Sequence, residues 1–498
     1  MTTPPGDLPR LALRPLTIVL AVQAAGLTAL SGRYGFNRDE LYFIAAGNHL
    51  ALGYVDQPPI TPLLAKISIT LFGDTPVGLR VISTVMAMLT VLLVALIARE
   101  FGASRGPQLF AAGATAVSSF VLVVSHLLST SSFDLLMWTL TSWLLLRLLR
   151  TGDGRWWVPV GLASGLALEN KWLVVGLLAA VAIGLIAVGP RSVFRSWWLA
   201  AGIAAAVLIV VPNLIWQIHN GFPQLTVASQ ISQTDGTTNR ITFIPLQLVY
   251  LSPVLVPVWF SGILALWRRA ELRWARSFVL AYPVLCAALL IVGGKPYYAV
   301  PVLLIFLAAG AEPAMSTVRW FLTGKLTLGR VASWAGVALA LLISIVISLP
   351  ALPQTALNPI LAIEPDQGEE LAWPQFTSAV AAAWQQIPAG ERDTGVIFTE
   401  NYGEAGAIDH YGYLDGLPAA YSGHMSYSAW GPPSDAMSGP VLLVGKFTPA
   451  QFTGCRLISR FYNEYGVHDD EWGVPIRLCT GRTGPWSQLW PHLTRFYS

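Results

Sequence analysis

Long apolar blocks, one after another through about the first 350 positions, constrain this chain more than any other feature of it. A helix needs about 20 mostly apolar residues to cross a hydrocarbon core about 30 Å thick. Stretches of that kind lie near 12–31, 78–98, 107–125, 133–149, 197–215, 244–267, 276–293, 297–311 and 331–349. The stretch 156–189 is too long for one crossing and is interrupted by Glu169, Asn170 and Lys171, so it divides into two short helices meeting at a polar apex. The expected fold class is a polytopic α-helical membrane protein with about 11 spans. Composition agrees: 54% of residues are hydrophobic and 11% charged, against about 25% charged in an ordinary soluble domain. A net charge of +3 with no basic run excludes nucleic acid as a partner.

Orientation follows from the cationic loops. With the N-terminus in the cytoplasm, Arg10, Arg14, Arg99, Arg105, Arg147, Arg150, Arg155, Arg191, Arg195, Arg268, Arg269, Arg273, Arg276, Arg319, Lys325 and Arg330 fall inside, and the opposite loops are poorer in Lys and Arg. An odd number of crossings then carries the tail out of the cytoplasm. Cys455 and Cys479, 24 positions apart in that tail, are either two thiols or a disulfide, and an extracytoplasmic tail makes the disulfide chemically allowed. The expected location is the plasma (inner) membrane. A cleaved signal peptide is the competing reading of residues 10–31, and a retained first span is favoured.

From about residue 351 the pattern changes to a small α/β domain running to 498, so the expected division is a membrane domain over 1–350, with its first external loop at 32–77, and an extracytoplasmic domain over 351–498. The tail reads as an apolar helix at 376–387, a strand at 395–398, a helix after Asn401, a strand at 441–444, and strands around 455–461 and 474–479. The run ENYGEAGA, Glu400 to Ala407, lacks the GxGxxG spacing of a dinucleotide turn and reads as a tight strand-to-helix connection. Residues 420–437 form an aromatic, Gly/Pro-rich loop for which sugar binding and surface packing are equal explanations.

Reactive side chains of the first 350 positions concentrate in the first external loop, with Arg38, Asp39, Glu40 and Tyr42, then Asp56 and Gln57 ahead of Pro58 and Pro59. Paired prolines stop a helix, so the segment can fold back over the membrane, with 61–72 as an amphipathic helix on its surface. Asp39 and Glu40 together admit three readings: a general base, a metal-ligand pair or a solvated acidic corner. Asp134 opens the fourth span at the same face, where a helix N-terminus lowers the cost of its charge. Lys171 needs a partner at membrane depth, either Glu169 or an anionic ligand. Lys295, before Pro296, Tyr297 and Tyr298, is a snorkelling or a phosphate-binding lysine. His219 and His126 are outer-face polar residues for which structural roles are favoured.

These pieces together resemble the GT-C superfamily of membrane glycosyltransferases, in particular the bacterial branch related to protein O-mannosyltransferases and the lipid A aminoarabinose transferase. The resemblance rests on Asp39-Glu40-Leu41-Tyr42, on Tyr54-Val55-Asp56-Gln57-Pro58-Pro59, on Asp134, on the Gly165-to-Lys171 segment, and on Lys295-Pro296-Tyr297-Tyr298. It implies transfer of a sugar from a polyprenyl-phosphate donor to a glycan, lipid or protein acceptor outside the cytoplasm, usually with inversion. It also implies that Asp39 matches the catalytic acid of the first loop, with Glu40 beside it and Asp134 as a second acid. Where the aminoarabinose transferase has an acid followed by Lys, this chain has Asp56 and Gln57, which leaves Lys295 and Lys171 a larger share of the donor phosphate.

The expected chemistry is a single displacement. Asp39 takes the proton of the acceptor hydroxyl while Lys295, with Lys171 or Arg38, stabilises the leaving phosphate. Tyr42, Asp56, Gln57, Tyr297 and His219 are the expected substrate-binding residues. Asp39, Glu40 and Asp134 are the candidate oxygen ligands for Mg²⁺ or Mn²⁺, and no His/Cys cluster has tetrahedral spacing. A multi-spanning transporter or lipid flippase is the main alternative; it predicts midplane polar residues and an internal repeat, and no repeat is evident.

Overall fold

The structure, a computed structural model, describes residues 8–323 and 327–497, so Lys325 of the inside charges and Ser498 lie outside the described residues. The chain divides into two compact units, one of residues 1–30, 80–216 and 231–349, the other of residues 31–79, 217–230 and 350–498. The first external loop folds with the C-terminal stretch and not with the apolar helices.

The first unit is helical throughout. By length and composition, six helices among the described residues can cross a membrane, at Leu13–Leu30, Pro76–Glu100, Thr130–Thr151, Trp198–His219, Pro296–Met315 and Gly329–Ser348. Two further blocks are bent pairs. Arg105–Ala116 and Ser119–His126 meet at 59°, and Gly236–Val249 and Pro253–Arg268 meet at 68°. The second bend falls where Ser252 takes a positive φ of 89° directly before Pro253, which cannot continue a hydrogen-bonded helix. The expected single spans at 107–125 and 244–267 are therefore each broken. The apolar blocks at 156–189 and 276–293 are helices too, at Trp157–Leu168, Val174–Val188 and Ser277–Val292, of 12, 15 and 16 residues. They are shorter than a straight crossing needs.

Small residues let these helices touch along their backbones, the usual way helices associate where lipid removes the hydrophobic drive. Gly262 faces Phe306 O and Gly310 faces Val258 O so closely that a Cβ at either place would collide.

The second unit is an α/β fold around a five-stranded sheet of β1 (Val396–Thr399), β2 (Ala420–Ser422), β3 (Val441–Val444), β4 (Phe452–Arg460) and β5 (Pro475–Arg482), in the order β2-β1-β3-β5-β4. The strands β2 and β3 run parallel to β1, and β5 is antiparallel to both β3 and β4. β1 and β3 are buried along their whole length, in keeping with their sequences VIFT and VLLV, apolar but for Thr399. Phe398, Leu443, Trp486 and Trp490 lie in the core over the sheet. Cys455 and Cys479 stand opposite each other on β4 and β5 and are joined as a disulfide. The one strand that sequence pattern missed, β2, has three residues inside the aromatic loop.

The first external loop is stitched to this fold by its own side chains. Arg33 donates to Ala351 O at 3.0 Å, Tyr34 to Leu352 O at 2.7 Å and Asn37 to Asp366 O at 3.3 Å.

Candidate active site

In the second unit the site begins with a helix cap. Asn37 is extended, and its side chain accepts from Asp39 N at 2.9 Å, while Glu40 Oε2 accepts from Asn37 N at 2.9 Å. This reciprocal capping box starts the helix Arg38–Asn48. It also separates the two neighbouring acids. Glu40 is wholly buried with its carboxylate engaged by the cap, whereas Asp39 keeps partial exposure. Glu40 is thus a capping residue without a surface to offer a substrate, which corrects its expected pairing with Asp39.

Asp39 Oδ1 accepts a hydrogen bond of 2.6 Å from the hydroxyl of Tyr402, the first residue of the helix Tyr402–Tyr411. The Arg38 guanidinium carbon lies 5.7 Å from the centre of that ring. The guanidinium is held by Glu369 at 3.2 Å and Asp470 at 3.4 Å. A guanidinium met by two carboxylates is already neutralised, so Arg38 is better suited to tying these segments together than to receiving a phosphate.

A second carboxylate lies close by. Tyr42, fully buried, donates to Asp56 Oδ1 at 2.5 Å; the Ser426 hydroxyl lies 2.7 Å from the same phenol and accepts from Val55 N at 3.1 Å. Burial pushes the Asp56 carboxyl up to about 6, offset in part by the Tyr42 hydrogen bond and reinforced by the charge of Asp39. Burial and the facing carboxylates also raise the phenols of Tyr42 and Tyr402 well above 10, so both remain donors. Gln57 is 2% exposed, and neither atom of its amide has a hydrogen-bond partner among the described residues. A buried amide without partners costs free energy unless a ligand completes it.

Aromatic rings line the cluster. Tyr402 lies 4.7 Å from Tyr42 and is stacked on His424 at 5.1 Å; Tyr427 packs on Trp430 at 4.5 Å, and Trp430 is stacked on His49 at 4.4 Å. Tyr427 donates to Asp409 Oδ2 at 2.7 Å. Within the loop 420–437, then, Ser426, His424 and Tyr427 are buried structural parts of this wall, and Trp430 keeps some surface.

The remaining candidates, His219 apart, lie in the first unit. Asp134 is the fifth residue of the helix Thr130–Thr151 and is 7% exposed. Lys171 donates to Ser131 Oγ at 3.1 Å and lies 5.9 and 5.7 Å from the ring centres of Tyr297 and Tyr298. It also interacts electrostatically with Asp134. Tyr298 interacts with Lys295 and with Asp134. The fold therefore gathers Asp134, Lys171, Lys295, Tyr297 and Tyr298, from three separate stretches of sequence, into one neighbourhood. His219 is exposed at the C-terminal end of the helix Trp198–His219 and is not among the aromatic and carboxylate contacts described for Asp39 and Asp56.

Among the described residues no group of three or more His, Cys, Asp or Glu side chains is arranged to hold a metal ion. Asp39 and Glu40 diverge, one to Tyr402 and the other to the helix cap, and Asp134 belongs to the other unit.

Sequence reasoning missed Tyr402, Ser426 and the Glu369–Arg38 pair. None is marked by a motif of its own, although the N-x-x-E pattern that caps Arg38–Asn48 recurs at Asn401 and Glu404 and marks where Tyr402 begins its helix.

Residues 56–216 match the family model described as dolichyl-phosphate-mannose-protein mannosyltransferase. The polyprenol-phosphate-mannose–protein mannosyltransferase of Corynebacterium glutamicum is 28% identical over 39% of this chain, and the match covers 44% of that relative's length. The solved structure of ArnT from Cupriavidus metallidurans aligns over 94% of this chain and 98% of its own, with a TM-score of 0.55 and 15% identity, both in the apo state and bound to undecaprenyl phosphate. In fold, the chain is similar to this membrane glycosyltransferase over nearly its whole length.

Proposed function

We propose that the protein transfers a sugar from a polyprenyl-phosphate donor to an extracytoplasmic acceptor in one inverting displacement, with Asp39 as general base. The observation that carries this reading is the state of Asp39: a partly exposed carboxylate on a capped helix, with one oxygen held by a phenol, in an aromatic setting. Such a group is placed to accept a proton from a hydroxyl. As the acceptor oxygen bonds to the anomeric carbon, the bond from that carbon to the phosphate oxygen breaks. The hydroxyl proton passes to Asp39 and the lipid phosphate leaves with the bonding electrons.

The leaving phosphate requires positive charge, and Lys171 and Lys295 are the cations assigned to it. Asp56 and Gln57 are assigned to sugar hydroxyls, since a raised carboxyl and an unpartnered amide both gain by hydrogen bonding there. The matched relatives support the donor class by their own names, and the acceptor is left open among glycan, lipid and protein.

The test is conversion of a radiolabelled polyprenyl-phosphate sugar by the purified protein in lipid vesicles. Release of polyprenyl phosphate is expected from the wild type and a loss of at least about a hundredfold from Asp39→Asn, with the variant inserted and folded as before. Full turnover by Asp39→Asn refutes the assignment, and movement of donor across the bilayer without its cleavage would point to the flippase reading.

A further inference from the structure

The residue that completes Asp39 comes from the far end of the chain. We propose that Tyr402 is the positioning residue of the catalytic carboxylate, fixing Asp39 Oδ1 so that Oδ2 is the oxygen presented to the acceptor hydroxyl. This rests on the reading of Asp39 as the base.

The phenol has little freedom to do anything else. Tyr402 follows Asn401, whose side chain accepts from Gly403 N at 2.8 Å and Glu404 N at 2.9 Å, while Glu404 closes the capping box by accepting from Asn401 N at 3.0 Å. Its ring is packed by Tyr42 and stacked on His424, with the Arg38 guanidinium nearby. The next residue must be glycine, because a Cβ at Gly403 would occupy the space of the Arg38 side chain. One turn on, a Cβ at Gly406 would meet the Leu41 backbone at 3.1 Å. The ENYGEAGA run is therefore small where it is small so that one helix can lie against the other and deliver a hydroxyl to Asp39. The consequence is that the C-terminal stretch is part of the catalytic apparatus.

A hydrogen bond donated to a carboxylate favours its charged form. The titratable groups around the pair are Arg38 on the same helix, Asp56 and Tyr42 from the first loop, and Glu369, Glu471 and His424 from the C-terminal stretch. Tyr402→Phe removes the donor and keeps the ring.

Turnover by Tyr402→Phe is expected to fall roughly ten- to a hundredfold, the size of a lost hydrogen bond to a charged group, with the KM for donor unchanged. The acid limb of its activity–pH profile should move to higher pH. Replacing Tyr402 with 2,3-difluorotyrosine, a stronger donor of nearly the same shape, should move that limb the other way, and it carries the test if Tyr402→Phe does not accumulate. A positioning role is overturned if both variants keep the wild-type kcat and acid limb while Asp39→Asn is inactive. Activity in Asp39→Asn would instead remove the base assignment itself.

Discussion

His424 shows how burial alone can set a residue's chemistry. Its ring is 4% exposed, is stacked on Tyr402, and has no hydrogen-bond partner at either nitrogen among the described residues. Burial, with the charges of Arg495 and Arg38, depresses its imidazole to about 3, so the folded protein holds it neutral near pH 7. Because the folded value lies below the ordinary 6.5, the stabilisation is complete above that pH and is lost as the pH falls toward 3. His424→Phe, which keeps an aromatic ring over Tyr402 and cannot be protonated, should leave the melting temperature at pH 8 nearly unchanged and raise it relative to wild type at pH 4.5. An equal shift at both pH values would show that protonation of His424 is not what limits acid stability. At this scale the sequence displays Asp39 as a candidate acid, and the Asn37-to-Glu40 spacing already contains the cap that engages Glu40. Tyr402 could not be read, since it lies 363 positions from Asp39 and nothing local distinguishes its hydroxyl from any other.

Between elements, the decisive contact is that of the helices Arg38–Asn48 and Tyr402–Tyr411. Gly406 faces Leu41 backbone and side-chain atoms at 3.1–3.2 Å from where a Cβ would be, and Gly47 on the other helix faces Pro62 O at 2.9 Å. Gly406→Val adds a branched side chain where no space exists, and should cost about 1–3 kcal/mol together with most of the turnover, because Tyr402 is moved away from Asp39. Gly390→Ala, with nothing within 4 Å of its added Cβ, is the control that should change neither. Thermal unfolding in detergent with parallel turnover measurements separates the two, and a Gly406→Val protein as active as wild type would show that the close approach is not needed. Elements were readable where burial is uniform: β1 and β3 are apolar runs but for Thr399, and the long spans declare themselves by length. The short β2 and the bend at Ser252 were not, because three residues carry no period and a positive φ at a serine leaves no compositional trace.

At the scale of the whole molecule, the side of the membrane that the second unit faces can be tested at its cysteines. Cys455 and Cys479 pair across two adjacent antiparallel strands, and the third cysteine, Cys286, is buried in the helix Ser277–Val292 of the other unit. Disulfides persist in oxidising compartments and are rare in the cytoplasm. If the N-terminus lies inside, as the cationic loops favour, the bridge and the first loop with Asp39 would both face outward. In intact cells, then, a membrane-impermeant maleimide should leave Cys455 and Cys479 unlabelled until an impermeant phosphine reduces them, after which both should react without lysis. If the same two cysteines react only after the cells are opened, and do so without a reductant, the unit faces the cytoplasm. Asp39 would then lie on the wrong side for an extracytoplasmic acceptor, whatever the geometry of its hydrogen bonds.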